Sequence, residues 1–141
     1  MKFQELKLSL KSKVENIYLI FGEDIFLKNN AVNLINNAVN NLDKLNTNIL
    51  DTEDCDGKKL VDLCNTFSFF GKKLIILKES DGKKSSDLLS KIKEYIKNPN
   101  SSTVLVIQCL DSSDYFMPLK NIIPSIDCSR LSTELISKWI L

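Results

Sequence analysis

Residues 17–27 have the sequence IYLIFGEDIFL, in which a continuous apolar run meets Gly22 and is followed by two carboxylates. A short apolar run that ends at a glycine is typical of a strand buried on both faces. Asp24 is a plausible N-cap for the helix that follows, because its side chain can accept from free backbone N–H groups. This stretch therefore predicts a strand, a tight turn and a helix, in that order.

The alternation of helices and strands continues along the chain. Apolar positions three or four residues apart predict helices, whereas short β-branched or continuous apolar runs predict strands. Ser86 is the candidate cap of the fourth helix. Strands that alternate with helices predict an α/β fold, a three-layer αβα sandwich around a mainly parallel sheet of five strands. Helices are expected over residues 2–13, 27–42, 60–67, 88–96 and 135–140, and strands over residues 17–21, 48–51, 73–78, 103–107 and 126–128.

Size and charge narrow the class of protein. The chain has 141 residues, which fits a single domain over residues 1–141. A formal net charge of +1 argues against a dedicated nucleic-acid binder, which usually has a strongly basic face. The sequence has neither a signal peptide nor an apolar run of about 18 residues. We therefore expect a cytoplasmic protein that does not associate with membranes.

Metal and nucleophilic chemistry have little support in the sequence. The chain has no histidine, and its four cysteines form no C-x-x-C pair. Zinc sites need clustered thiolate or imidazole ligands, and a Ser-His-Asp triad needs a histidine. We expect no metal, no cofactor and no catalytic residue, and we expect the cysteines to be small buried side chains. The cysteines are Cys55, Cys64, Cys109 and Cys128.

The loop after the first strand lies where open parallel sheets usually bind nucleotides. A phosphate-binding loop needs G-x-x-x-x-G-K-[ST], whereas this loop has Gly22 followed by Glu23 and Asp24. The third strand ends with Lys78 after Leu77, and Glu79 comes one residue later, whereas a magnesium-binding hydrolase would end this strand with an acidic residue. The loop is thus predicted to be a degenerate nucleotide loop. A divergent nucleotide hydrolase and a receiver domain remain the rival interpretations, although Lys78 stands where a receiver needs its phosphate-accepting aspartate.

An aromatic cluster lies between the third helix and the third strand. Phe67, Phe69 and Phe70 are flanked by Ser68 and Gly71. Aromatic side chains this dense at a turn cannot all face one core, and an exposed pair would form an interaction patch. Phe67 continues the apolar spacing of the preceding helix and so fits the core. The alternative, in which Phe67 and one of the other two close the core, stays open.

Four segments in order resemble the delta subunits of bacterial DNA polymerase III. Residues 17–27 resemble the strand that runs into G-E-D, an aromatic residue and a leucine in that family. Residues 67–78 are similar to its P-F-F-x-x-R-R-L-V-V-V-K segment, and residues 98–107 to its N-P-P-x-x-T-x-L-V segment. Trp139-Ile140 matches the W-I that follows. The resemblance spans nearly the whole chain.

The resemblance implies a clamp-loader role. The fold would be the AAA+-like, P-loop NTPase-type core with strand order 5-1-4-3-2 and no working nucleotide site, and lid and collar domains would follow Leu141. The subunit would bind the beta sliding clamp and hold its ring open for loading onto primed DNA. Its partners would be the ATP-binding subunits and delta prime, within a DNA polymerase holoenzyme (a nucleotidyltransferase) at the nucleoid. The domain itself would have no ATPase activity.

The resemblance also implies which residues bind the clamp. In the family, two adjacent apolar residues at a helix tip grip the clamp, and Phe69 and Phe70 stand at the matching positions, with Phe67 beside them. Lys72 and Lys73 adjoin this patch and would steer the encounter with an acidic clamp surface. A solvated basic turn is the alternative for these lysines. The sequence departs from the family where Phe67-Ser68 replaces leucine-proline and where lysines replace two arginines.

Overall fold

The computed structural model of the chain describes residues 1–39, 47–66, 72–110 and 114–129. Within these residues the order of helices and strands agrees with the pattern expected from the sequence. The predicted helix after residue 130 and the end of the second helix near Leu42 lie outside the described residues. The helices are α1 (Phe3–Ser12), α2 (Ile25–Val39), α3 (Gly57–Asn65) and α4 (Leu88–Ile96), and the strands are β1 (Ile17–Phe21), β2 (Thr47–Asp51), β3 (Lys73–Lys78), β4 (Thr103–Gln108) and β5 (Ser125–Asp127).

The five strands form one sheet in the order β2-β3-β4-β1-β5. Every neighbouring pair is parallel, so all strands begin at one edge of the sheet, the amino edge, and end at the other, the carboxyl edge. This order is the predicted 5-1-4-3-2 order. The first strand lies between β4 and β5 and is covered on both faces, which explains why its apolar run is continuous.

Helices cover both faces of the sheet, as the predicted three-layer arrangement requires. Alternate residues of β1 point to opposite faces, so Leu19 packs with α3 and α4 whereas Ile20 packs with α1 and α2. β3 alternates in the same way. The edge strand β2 is only partly buried, and its Ile49 is exposed, which accounts for its weak sequence signal.

Several boundaries differ from the sequence-based expectations, most clearly that of α3, which covers Gly57–Asn65 instead of residues 60–67. The residue that precedes α4 is Asp87, not Ser86, and Ser86 is exposed. β5 covers Ser125–Asp127, one residue earlier than expected. All four cysteines are buried free thiols, as predicted, and burial raises the pKa of the Cys64 thiol to about 12. In the part of the chain that the structure describes, no helix has the length and apolar character needed to cross a membrane.

Candidate functional site

The predicted nucleotide loop lies at the carboxyl edge and is packed against the end of β5. Gly22 has a φ of +119°, and a Cβ atom at this position would lie 2.3 Å from the carbonyl carbon of Cys128. The backbone N–H of Asp24 donates to the carbonyl of Cys128 at 3.1 Å. Asp24 also caps α2 as predicted, since its Oδ1 accepts from the N–H of Leu27 at 3.1 Å. Glu23 is exposed. The protein's own backbone therefore packs directly against this loop.

Lys28 is a residue of this edge that was not predicted from the sequence, although it stands six positions after Gly22, where a phosphate-binding loop has its lysine. Lys28 is only 3% exposed. Its Nζ donates to the carbonyl of Cys109, just beyond the end of β4, at 2.9 Å. The lysine ammonium thus binds the sheet instead of pointing into an open loop. The spacing from Gly22 to Lys28 could have identified this lysine, but the loop lacks the second glycine of the phosphate-binding motif.

Two more polar side chains at this edge, those of Gln108 and Glu79, form hydrogen bonds with other groups of the protein. Nε2 of Gln108 donates to Oδ1 of Asn29 at 3.0 Å. The buried carboxylate of Glu79 accepts from the N–H of Leu110 at 3.0 Å and pairs with the ammonium of Lys84, also at 3.0 Å. Glu79 stands one residue beyond the position at which a nucleotide hydrolase has its magnesium-binding acid. These contacts show that it holds the loop after β3 against the sheet.

The two residues that flank the predicted partner-binding segment lie at the opposite, amino edge, because α3 returns from the end of β2 to the start of β3. Phe67, Phe69 and Phe70 lie outside the described residues, so their role stays a prediction. The residues on either side of them are described. They are Thr66, which follows α3, and Lys72, which precedes β3 and is exposed.

The amino terminus of α3 is fixed by two aspartates. Oδ1 of Asp56 accepts from the N–H of Lys59 at 2.7 Å. The carboxylate of Asp87, at the start of α4, accepts from the N–H groups of Gly57 at 3.0 Å and Lys58 at 3.3 Å. These contacts occupy helix N–H groups that have no partner inside the helix. They also join α3 to α4 at the carboxyl edge.

Three side chains from the amino edge bind the carboxyl terminus of α3. Nζ of Lys73 donates to the carbonyl of Leu63 and, at 2.7 Å, to that of Thr66. The carbonyl of Cys64 accepts from Oγ1 of Thr103 at 2.6 Å and from Nδ2 of Asn100 at 3.1 Å. The carbonyls at a helix end lack partners in the helix, and here tertiary donors satisfy them.

This placement of Lys73 differs from the prediction that it meets the clamp. Lys73 is 6% exposed and its ammonium is directed into α3, whereas the neighbouring Lys72 is exposed. Burial lowers the pKa of Lys73. The strand period gives the reason, because Lys73 shares a face of β3 with Ile75 and Leu77, which pack against α3 and α4. Of the two lysines, only Lys72 is placed to contact another molecule.

Comparison with known proteins agrees with the resemblance. A family model described as DNA polymerase III, delta subunit, matches residues 18–116, which is more than half of the chain. No curated protein matches the sequence. The Bacillus subtilis DNA clamp loader delta protein superposes with a TM-score of 0.78 at 22% identity, over 97% of this chain and 45% of its own.

A second solved structure has the same fold. A DNA polymerase III gamma subunit-related protein of Thermotoga maritima superposes with a TM-score of 0.64 at 13% identity, over 96% of this chain and 48% of its own. The chain therefore spans less than half the length of either structure. At these identities the two likenesses support the clamp-loader AAA+-like fold alone.

Proposed function

The chain belongs to the DNA polymerase III delta subunit family, and we propose from this premise that it binds the beta sliding clamp and holds the ring open for loading onto primed DNA. The observation that carries the proposal is the family match over residues 18–116, which includes α3, the aromatic segment and β3. The match favours this function over the rival hydrolase and receiver interpretations. Clamp loading is a DNA replication function.

The proposed clamp-binding residues are Phe69 and Phe70, with Phe67 beside them and Lys72 steering the encounter. The described surroundings support an interaction site here, because α3 is anchored at both ends and its carboxyl terminus leads directly into the aromatic segment. An aromatic pair on a rigid support is a typical anchor for a protein–protein contact. The exposed ammonium of Lys72 fits an acidic partner surface.

In the assembled loader, the proposed partners are the ATP-binding subunits and delta prime, with primed DNA bound through the complex. The proposed location is the replisome in the cytoplasm of a bacterial cell. The two solved structures are about twice as long as this chain, which supports the expectation of lid and collar domains in a complete subunit. We expect the domain to bind and open the clamp without hydrolysing ATP.

Changing both Phe69 and Phe70 to alanine is expected to weaken clamp binding by about a hundredfold or more. Burial of one phenylalanine contributes roughly 1.5–3 kcal/mol, and about 1.4 kcal/mol corresponds to a tenfold change in affinity. The measurement is a calorimetric titration of the protein against the beta clamp from the same source.

The control for this titration is Phe26→Ala. Phe26 is 70% exposed in the first turn of α2, at the carboxyl edge of the sheet, whereas Thr66 and Lys72, which flank the aromatic segment, lie at the amino edge. We expect the Phe26→Ala protein to bind the clamp as the unchanged protein does. Equal affinity in the double variant and the unchanged protein would rule out the aromatic pair as the clamp-binding site.

A further inference from the structure

The outer face of α2 differs from the other helix surfaces in the described part of the chain, because it exposes no charged side chain. The only charged residue of this helix is Lys28, which is 3% exposed. Each of the other three helices exposes at least two charged side chains. These are Glu5, Lys7 and Lys11 on α1, Lys58, Lys59 and Asp62 on α3, and Lys93 and Glu94 on α4. Depletion of charge is a property of the surfaces through which proteins bind each other.

The exposed side chains of α2 are apolar at the amino end of the helix, small at its carboxyl end and amides between. Ile25 and Phe26 are 60% and 70% exposed. Large apolar side chains in so open a position are typical anchors of a contact between proteins. Ala38 is exposed at the other end of the helix. The amides are those of Asn29, Asn33 and Asn37, which are exposed, and Asn30, which is half-buried.

We propose that this outer face of α2 is a self-association surface and that its partner is a second copy of the chain. Two identical helices that pack antiparallel around a twofold axis place the amino end of each against the carboxyl end of the other. Phe26 then meets Asn37 and Ala38 of the second copy, and Asn30 meets Asn33. The large ring thus packs over the small end of the other helix, and the asparagines lie near the axis.

The chemistry of the amides favours a second copy as the partner. An asparagine side chain both donates and accepts hydrogen bonds, so a row of asparagines can bind an identical row. A face of lysines or of glutamates cannot pair with itself in this way, because like charges repel each other. The uncharged face of α2 is therefore complementary to itself. α2 and α3 pack on opposite faces of the sheet, so this pairing goes beyond the proposed clamp contact and does not depend on it.

The size of the face predicts a weak and reversible pair. A helix of 15 residues is about 22 Å long. One helix contact of this length is expected to bury less than the roughly 800 Å² per partner that is usual in a stable complex. We therefore expect a dissociation constant on the order of 10–100 µM, at which the protein is monomeric when dilute and pairs when concentrated.

The test is sedimentation equilibrium of the unchanged protein and two variants, at concentrations from about 5 to 500 µM. Asn33→Glu brings two carboxylates together near the twofold axis and is expected to weaken the pairing by at least about tenfold, because like charges across an interface are costly. Asn33→Lys should weaken it in the same way. An equimolar mixture of the two variants is expected to pair at least as strongly as the unchanged protein, because each mixed pair then joins opposite charges.

Ser90→Glu is the matched control, because it adds the same charge at an exposed position of α4. It should leave the dissociation constant within about twofold of that of the unchanged protein. Thermal unfolding checks that each variant is folded, with a Tm expected within about 2 °C of the original because the substituted side chains are exposed.

Three results would overturn the proposal. The first is an unchanged protein that stays monomeric at about 500 µM. The second is equal pairing in Asn33→Glu and the unchanged protein, which would move the contact to another surface. The third is a mixture of the two charged variants that stays monomeric although both are folded. The clamp is absent from all of these measurements, so a failure of the proposed function would leave their outcome unaffected.

Discussion

Gly22 occupies a position that has no room for a side chain. Its φ of +119° is unfavourable for other residues, and a Cβ atom would lie 2.3 Å from the carbonyl carbon of Cys128 and 2.6 Å from the backbone nitrogen of Ser129. Neither contact can be relieved by turning a side chain, because both partners are backbone. Gly22→Ala is therefore expected to lower the free energy of unfolding by about 2–4 kcal/mol, measured by urea denaturation.

Gly82→Ala is the matched control for this substitution. A Cβ atom at Gly82 would lie 2.5 Å from Oε1 of Glu53, a close contact with the tip of a side chain. Glu53 is exposed and can rotate away. We expect Gly82→Ala to change the unfolding free energy by less than about 1 kcal/mol. Similar losses for both substitutions would show that backbone crowding at Gly22 is not the cause.

At the residue scale, the sequence predicted contacts between residues close in the chain better than contacts between residues far apart in it. The cap formed by Asp24 could be predicted, because a helix cap acts over three residues. The contact of Lys28 with Cys109 spans 81 residues, and no local pattern indicates it. Lys73 could have been placed, since strand alternation puts it on the same face as Ile75 and Leu77. The two adjacent lysines were interpreted together, although Lys72 is exposed and Lys73 is buried.

At the scale of one element, α3 depends on a side chain from another helix. Asp87 accepts from Gly57 and Lys58 at the start of α3. The hydroxyl of Ser85 and these backbone donors hold the pKa of Asp87 below its usual value. Asp87→Ala is expected to lower Tm at pH 7 by roughly 2–5 °C, because it removes the interactions of the charged carboxylate.

The same contacts predict a pH dependence with a definite sign. A carboxyl group with a lowered pKa in the folded state contributes stability above its unfolded pKa of about 3.9, and the contribution is lost as the pH falls through the folded value. The Tm difference between Asp87→Ala and the unchanged protein should therefore shrink below about pH 4. Asp81→Ala, at an exposed position in the same loop, should show no such difference at any pH. A constant difference down to pH 2 would contradict this assignment.

The sequence identified α3 and α4 but not the contact between them. The apolar spacing predicted α3 over residues 60–67, whereas the helix covers Gly57–Asn65, and the cap of α4 was assigned one residue too early. Ser86 looked like a cap because serine is a common N-cap residue. Asp87 precedes the helix instead, and its side chain binds the neighbouring helix, which a pattern within one element cannot show.

At the scale of the whole molecule, the alternation of strands and helices predicted the layers, whereas the strand order came from the family resemblance. Periodicity says which residues form a strand but not which strands are neighbours. The pairing of β1 with both β4 and β5 joins residues far apart in the sequence, so periodicity could not predict it. The aromatic segment, which carries the proposed function, lies outside the described residues, so the structure supports it only through its two flanks.

ATP at millimolar concentration is expected to shift Tm by less than about 1 °C. A ligand raises Tm only at concentrations above its Kd, and we expect the Kd for ATP to lie above the millimolar range. At the carboxyl edge, the ammonium of Lys28 binds the carbonyl of Cys109 and the Gly22 loop packs against Cys128, so neither is arranged to bind a phosphate. The measurement is a thermal unfolding series with Mg²⁺ and increasing ATP, repeated with Lys28→Met. A rise of several degrees that disappears in the variant would reveal a working nucleotide site.

The central position of β1 also has a consequence for synthesis on the ribosome. Ile17 pairs with Leu105, so at about 5–20 residues per second the first strand waits roughly 4–18 seconds for its partner to be translated. During that time β2 and β3 can already pair with each other. This apolar strand therefore leaves the exit tunnel early and enters the sheet late. We therefore expect β1 to be a binding site for chaperones that act on the nascent chain.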